Sequence, residues 1–236
     1  GPAAEVAEKV SCGEDIRKIT DQGKCAVILA VESGAALGGK LERVDDLAES
    51  GVKVMTLVWN GRNELGSGHD TEEGLTPFGR EVIRKMEERR IIVDVSHLND
   101  RGFDEVCEIA EHPFAATHSN LRSICSHPRN LKEEQFCKVI MRRGLVGINL
   151  HQQFLSDTGE GKEEDVYRHI DRMLELGGEN VIACGSDFDG ADIHPSLNTP
   201  VKYAKLAEQM LKRGIKEAVV DKIFFENAER FFRGNA

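Results

Sequence analysis

Short apolar runs alternate along this chain with longer stretches whose apolar residues recur at helical spacing. The runs are CAVILAV (25–31), VKVMTLVW (52–59), IIVDVSH (91–97), PFAATHS (113–119), LVGINLH (145–151) and VIACGSD (181–187). Each is short, rich in β-branched residues and apolar on both faces, the pattern of a strand buried on two sides. Between them, residues 41–49 (LERVDDLAE), 78–89 (FGREVIRKMEER), 101–110, 131–142, 164–176, 200–213 and 216–232 read as helices, with Val82, Ile83 and Met86 on one stripe. The segment before Cys25 (AAEVAEKV, then GEDIRKITDQG) also reads as helix. Thr76-Pro77 has the form of an N-cap followed by proline at the first helical position. Gly51, Gly144 and Gly177 stand where a helix end takes a left-handed residue.

Strand and helix alternate at intervals of roughly 25–40 residues, which calls for a parallel sheet with helices outside it. No linker or low-complexity segment interrupts the pattern, so residues 1–236 are expected to form one domain. An open doubly wound sheet and a closed barrel both fit. The first strand-to-helix turn is Glu32-Ser33-Gly34-Ala35-Ala36, and no G-x-G-x-x-G follows any strand, so a dinucleotide fold is disfavoured.

Composition narrows the partners more than the chemistry. With 31 basic and 41 acidic residues the formal charge is −10, which argues against nucleic acid or an anionic membrane surface as a partner. No apolar run approaches the ~20 residues of a spanning helix. The six cysteines (12, 25, 107, 125, 137 and 184) include no C-x-x-C pair. They are expected to be free, buried thiols of a reducing, cytoplasmic compartment, Cys25 and Cys184 within strands.

The chemistry gathers where the strands end. In order, those ends are Glu32, Trp59-Asn60, His97, His118, His151 and Asp187. In a barrel, all such ends share one mouth, where active sites of that fold lie. Each residue has a plainer reading. A histidine after a strand can be a hydrogen-bonded loop residue, Glu32 can cap the next helix, and Asp187 or Asp189 can shape the turn Asp-Phe-Asp-Gly. Taken together, imidazoles and carboxylates without thiolates suit zinc or a similar divalent metal. A carboxylate can bridge two metals and a neutral imidazole cannot, which makes Glu32 the natural bridge, His97 and His118 terminal ligands, and Asp187 a proton carrier. His69, His112, His169 and His194 rank lower as structural or solvated residues.

The segments AVILAVESGAAL (26–37), TLVWNGRNELGSG (56–68), GLTPFGREVI (74–83), VDVSHLN (93–99), THSNLRSICSHPRN (117–130), GINLHQQFL (147–155) and GSDFDG (185–190) resemble the membrane (renal) dipeptidase family, from about residue 13 to the end. The resemblance implies a (β/α)₈ TIM barrel of the amidohydrolase type and zinc-dependent hydrolysis of dipeptides, including those with a C-terminal D-residue. It implies Glu32 as bridging carboxylate, His97 and His118 as ligands of the second metal, Asp187 as the catalytic acid, and Arg129 as partner of the substrate's free carboxylate. A surface ion pair is the plainer reading of Arg129. Trp59, Asn60 and His151 fall at substrate-contact positions. Family members open with a strand carrying His-x-Asp for the first metal, and none precedes Glu32 here. The expectation is therefore that the first one or two barrel strands are missing from this chain. It would then hold one metal or none and associate as a homodimer or with a complementing N-terminal fragment. Departures also occur at Ser33, at Trp59 (histidine in the animal enzymes) and at His151 (tyrosine there). Two other functions remain open: hydrolysis of a lactone or cyclic amide at the same metals, and an inactive barrel fragment serving as a binding or assembly subunit.

Overall fold

The computed structural model describes residues 3–236. By internal contacts the chain forms two units, one reaching to Phe114 and including Glu229–Ala236, the other Ala115–Ala228.

In the first unit, β1 (Ala7–Lys9) pairs in parallel with β2 (Cys25–Val27), and β3 (Leu29–Glu32), β4 (Val52–Thr56) and β5 (Ile92–Asp94) form a second parallel ladder. The run CAVILAV is thus split between two ladders. Residues 7–9, expected to be helical, form the strand that pairs with its first half. Only Ala26 of β2 packs toward the small cluster of Val10, Ile16 and Ile19, so Cys25 and Val27 face outward. Cys12 is exposed as well and Cys107, Cys137 and Cys184 are partly buried, so of the thiols expected to be buried only Cys125 is fully so.

The helix Pro77–Glu88 starts as its sequence dictates: Thr76 Oγ1 accepts the Gly79 N–H at 2.9 Å, and Pro77 lacks a donor where none is needed. Val82, Ile83 and Met86 are fully buried. Each contributes about 1.5–3 kcal/mol by leaving water. Gly79 is required by proximity, because a Cβ there would stand 1.9 Å from the Leu65 carbonyl oxygen. Asn99 caps Asp100–Ile109 through the Gly102 N–H at 2.8 Å, while its amide donates to the Thr71 and Glu73 carbonyls.

In the second unit, β6 (Ala115–Ala116), β7 (Leu145–Ile148) and β8 (Ile182–Cys184) form a parallel ladder. Backbone bonds carry the pairing past the named strands: Ser119 N–H to Gly147 O at 2.7 Å, and Leu150 N–H to Ser186 O at 3.1 Å. The Thr117 carbonyl lies between two glycines; a Cβ on Gly147 or Gly185 would stand 2.0 or 2.2 Å from its oxygen. Helices Glu133–Met141, Glu163–Glu175 and Pro200–Lys212 follow or flank these strands, and Val166, Ile170 and Met173 form the buried face of the second. Gly51 and Gly177 take positive φ as expected, but at the end of Glu133–Met141 the left-handed residue is Arg143 (φ 54°) rather than Gly144. Among the described residues no helix is long and apolar enough to cross a membrane.

Candidate functional site

In the first unit β3 delivers Glu32 to its C-terminal end, where Oε1 lies 3.0 Å from His97 Nε2. The glutamate side chain is 52% exposed and the imidazole 8% exposed. Glu32 does not cap the turn that follows. Ser33, at φ 86°, does so by accepting the Ala35 N–H. The carboxylate is thereby left aimed at the imidazole.

His97 closes a sharply organised segment. Asp94, buried at the end of β5, accepts from Thr56 Oγ1 at 2.6 Å and from the backbone and hydroxyl of Ser96 at 3.1 and 2.5 Å. The His97 carbonyl accepts the His69 N–H at 3.0 Å. Trp59 is exposed, its ring tilted by 43° and centred 6.3 Å from that of His97. Asn60 is exposed beside it.

In the second unit His118 is nearly buried, and its Nδ1 is 2.8 Å from Thr117 Oγ1. When that contact is an Nδ1–H donated to the hydroxyl, the ring's lone pair is at Nε2, the tautomer a metal ligand needs. Arg129 is 4% exposed, which removes the surface ion-pair reading. Its guanidinium donates to the His118 carbonyl at 3.4 Å and lies 5.3 Å from the Phe154 ring centre. His151 packs edge-on against Phe154, and its Nδ1 accepts the Asp192 N–H at 3.1 Å.

Asp187 and Asp189 both sit in left-handed backbone, at φ 65° and 68°, and the Asp187 carbonyl accepts the Gly190 N–H at 3.2 Å. The turn-forming reading of these residues therefore holds alongside any chemical one. Residues that are not glycine adopt this conformation at a cost, and such strain concentrates at functional sites. The Asp187 carboxylate accepts from Asn149 Nδ2 at 3.1 Å.

Asn149 is among the residues sequence reasoning missed, with Asp94, Asn120 and Asn130. Asn149 lies in the run LVGINLH, where a lone polar residue reads as an interruption. The available signal was chemical. A buried amide in a strand end needs partners for both its oxygen and its nitrogen.

His169, ranked low as a ligand, is a structural residue. It is fully buried, its Nδ1 accepts the Leu121 N–H at 3.2 Å, and its Nε2 lies 3.1 Å from the Leu155 carbonyl. Burial pushes its pKa down to about 4.

The structure thus brings Glu32, His97 and Trp59 together in the first unit, and His118, Arg129, His151 and Asp187 into one network in the second. Known proteins are similar to this chain along most of its length. A metallo peptidase from Rhodobacter sphaeroides, solved with a phosphinate mimic of the dipeptide L-Ala-D-Ala, superposes with a TM-score of 0.94 at 29% identity, covering 99% of this chain and 70% of that one. The protein of the pqqA 5′ region of Klebsiella pneumoniae is 29% identical over 225 residues, 90% of this chain and 83% of that protein. Dipeptidase tcpJ of Claviceps purpurea is 28% identical over 236 residues, 97% of this chain but only 55% of its own length. The fold is accordingly α/β, of the TIM-barrel type found in amidohydrolase-like metallopeptidases. The model of the membrane dipeptidase family (peptidase family M19) matches residues 4–235, and the chain belongs to that family of metal-dependent hydrolases.

Proposed function

We propose that this chain hydrolyses dipeptides, including those with a C-terminal D-residue, with zinc held by Glu32, His97 and His118. The observation that carries the reading is the Glu32–His97 contact of 3.0 Å at the ends of their strands. A carboxylate facing an imidazole, with a second strand-end imidazole whose Nδ1 lies 2.8 Å from the Thr117 hydroxyl, is an oxygen–nitrogen donor set without thiolate, which fits a catalytic zinc. The choice of substrate is supported by the L-Ala-D-Ala mimic bound by the Rhodobacter relative.

A bound zinc supplies Lewis acidity at the scissile carbonyl and lowers the pKa of water. The chain's own residues do the rest. The Arg129 fork pairs with the substrate's C-terminal carboxylate, a planar match that lysine lacks. Asp187 carries a proton to the departing amine. Trp59, Asn60 and His151 line the substrate, Trp59 with an exposed aromatic face beside His97.

The test is metal analysis of the purified chain by plasma mass spectrometry after zinc loading, paired with an L-Ala-D-Ala hydrolysis assay. At least one zinc per chain is expected, falling to background in Glu32→Gln and His118→Ala together with the activity. A wild-type chain that takes up no metal would overturn the proposal.

A further inference from the structure

The Asn149 side chain touches three strand ends at once. Its Oδ1 accepts the His151 N–H at 2.6 Å. Its Nδ2 donates to the His118 carbonyl at 3.4 Å and to Asp187 Oδ2 at 3.1 Å. The residue is completely buried, and its own backbone is tied to Asn120 in both directions, N–H to Oδ1 at 3.1 Å and carbonyl to Nδ2 at 3.0 Å. The backbone partners fix the amide's orientation. His151 offers only a donor and His118 only an acceptor, so the oxygen faces the first and the nitrogen the second. The amino group is then left pointing at Asp187, whose backbone is held in the left-handed region.

We infer that Asn149 is a positioning residue for the reaction: its amide, held between the His151 N–H and the His118 carbonyl, fixes the Asp187 carboxylate in place. This rests on the hydrolase reading above, in which Asp187 carries the proton. Nitrogen and oxygen differ little in size, so a residue that merely filled space would tolerate aspartate best. The hydrogen-bond pattern demands the opposite. A carboxylate at position 149 would set an oxygen against two acceptors, the His118 carbonyl and Asp187, while alanine would remove the donor and the acceptor of the His151 N–H without adding a repulsive contact. Misplacing a reacting group by about 1 Å costs on the order of 10²-fold in rate.

The experiment measures kcat and KM on L-Ala-D-Ala, and urea unfolding midpoints, for Asn149→Ala, Asn149→Asp, Asp187→Asn and the exchanged pair Asn149→Asp/Asp187→Asn. Asn149→Ala should lower kcat by about 10- to 100-fold with KM within about twofold, and Asn149→Asp should lower it further. The exchanged pair should unfold at a higher urea concentration than the two single changes add up to, because donor and acceptor again face each other. Its kcat should stay low, because the acid now stands on the wrong strand. The inference is overturned if Asn149→Asp is as active as Asn149→Ala or better, if kcat and KM move together, or if the unfolding effects simply add. A wild-type chain without hydrolysis would defeat the proposed function, while the unfolding measurements would still decide whether the two side chains are coupled.

Discussion

Two sets of polar residues, one in each unit, are held in contrasting ways. At the end of β3, Glu32 is half exposed and meets His97 through one oxygen. In the second unit, three asparagines are buried to within 1% (Asn120, Asn130 and Asn149), and each donates amide hydrogens to backbone carbonyls. Asn130 reaches the carbonyls of Cys125 and Phe154, both at 2.9 Å, and Asn120 also reaches Phe154. A donor group that must exchange a hydrogen bond for a cation benefits from easy release. A group that must hold an acid or a guanidinium to within a fraction of an ångström needs a fixed surround. The difference separates adaptability on one side from preorganisation on the other, and it predicts distinct responses to mutation.

The largest expected effect is on rate. Asp187→Asn should lower kcat on L-Ala-D-Ala by about 10²–10⁴-fold, the usual range for a general acid or base, with zinc content unchanged. Loss of zinc in this variant would place Asp187 among the ligands and break the division drawn here. Next is pH. His169 has its pKa lowered from 6.5 to about 4 by burial, so between those values the unfolded chain takes up a proton that the folded chain refuses. Stability is therefore full above about pH 6.5 and declines as pH falls toward 4, by about 3 kcal/mol if the whole shift is expressed. Urea unfolding at pH 7.5 and 5 should show the loss, and His169→Gln should flatten the dependence in that window.

Smaller effects sharpen the contrast. Asn120→Ala should destabilise the chain by about 1–3 kcal/mol, because the buried Asn149 carbonyl and N–H lose their side-chain partner. Arg129→Lys should raise KM for the dipeptide about tenfold and leave kcat near wild type. An unchanged KM would favour a substrate without a free carboxylate, such as a lactone or cyclic amide. Smallest of all, Glu32→Gln should alter the stability of the metal-free chain, read from urea unfolding, by no more than about 0.5 kcal/mol, as expected of a half-exposed side chain. A large destabilisation there would show that Glu32 is as firmly built in as the asparagines of the second unit.

Much of this was legible from periodicity and residue type. The β4, β5, β7 and β8 runs read as buried strands because they are short, rich in β-branched residues and apolar on both faces, and the Pro77–Glu88 helix because its cap and stripe agree. The candidate ligands stood out as ligand-type side chains at the ends of such runs. What was lost had physical causes. The strand at residues 7–9 is three residues long, and its one neighbour, β2, is half exposed, so it carries little apolar signal. Cys25 was read as buried because CAVILAV is one run in sequence, although two ladders share it in space. Arg143 takes the left-handed position before Gly144, where the Gly144 N–H closes the helix on the Val139 carbonyl. The asparagines were invisible because a polar residue in an apolar run shows its purpose only through partners distant in sequence, 29 and 38 residues away for Asn149.

The two glycines beside the Thr117 carbonyl set a limit on how this protein can be redesigned. With no room for even a methyl group at positions 147 or 185, the spacing of three neighbouring strands is locked beside the Thr117 carbonyl. Attempts to vary the strand ends of the second unit must therefore leave these two positions as glycine and work through the side chains around them.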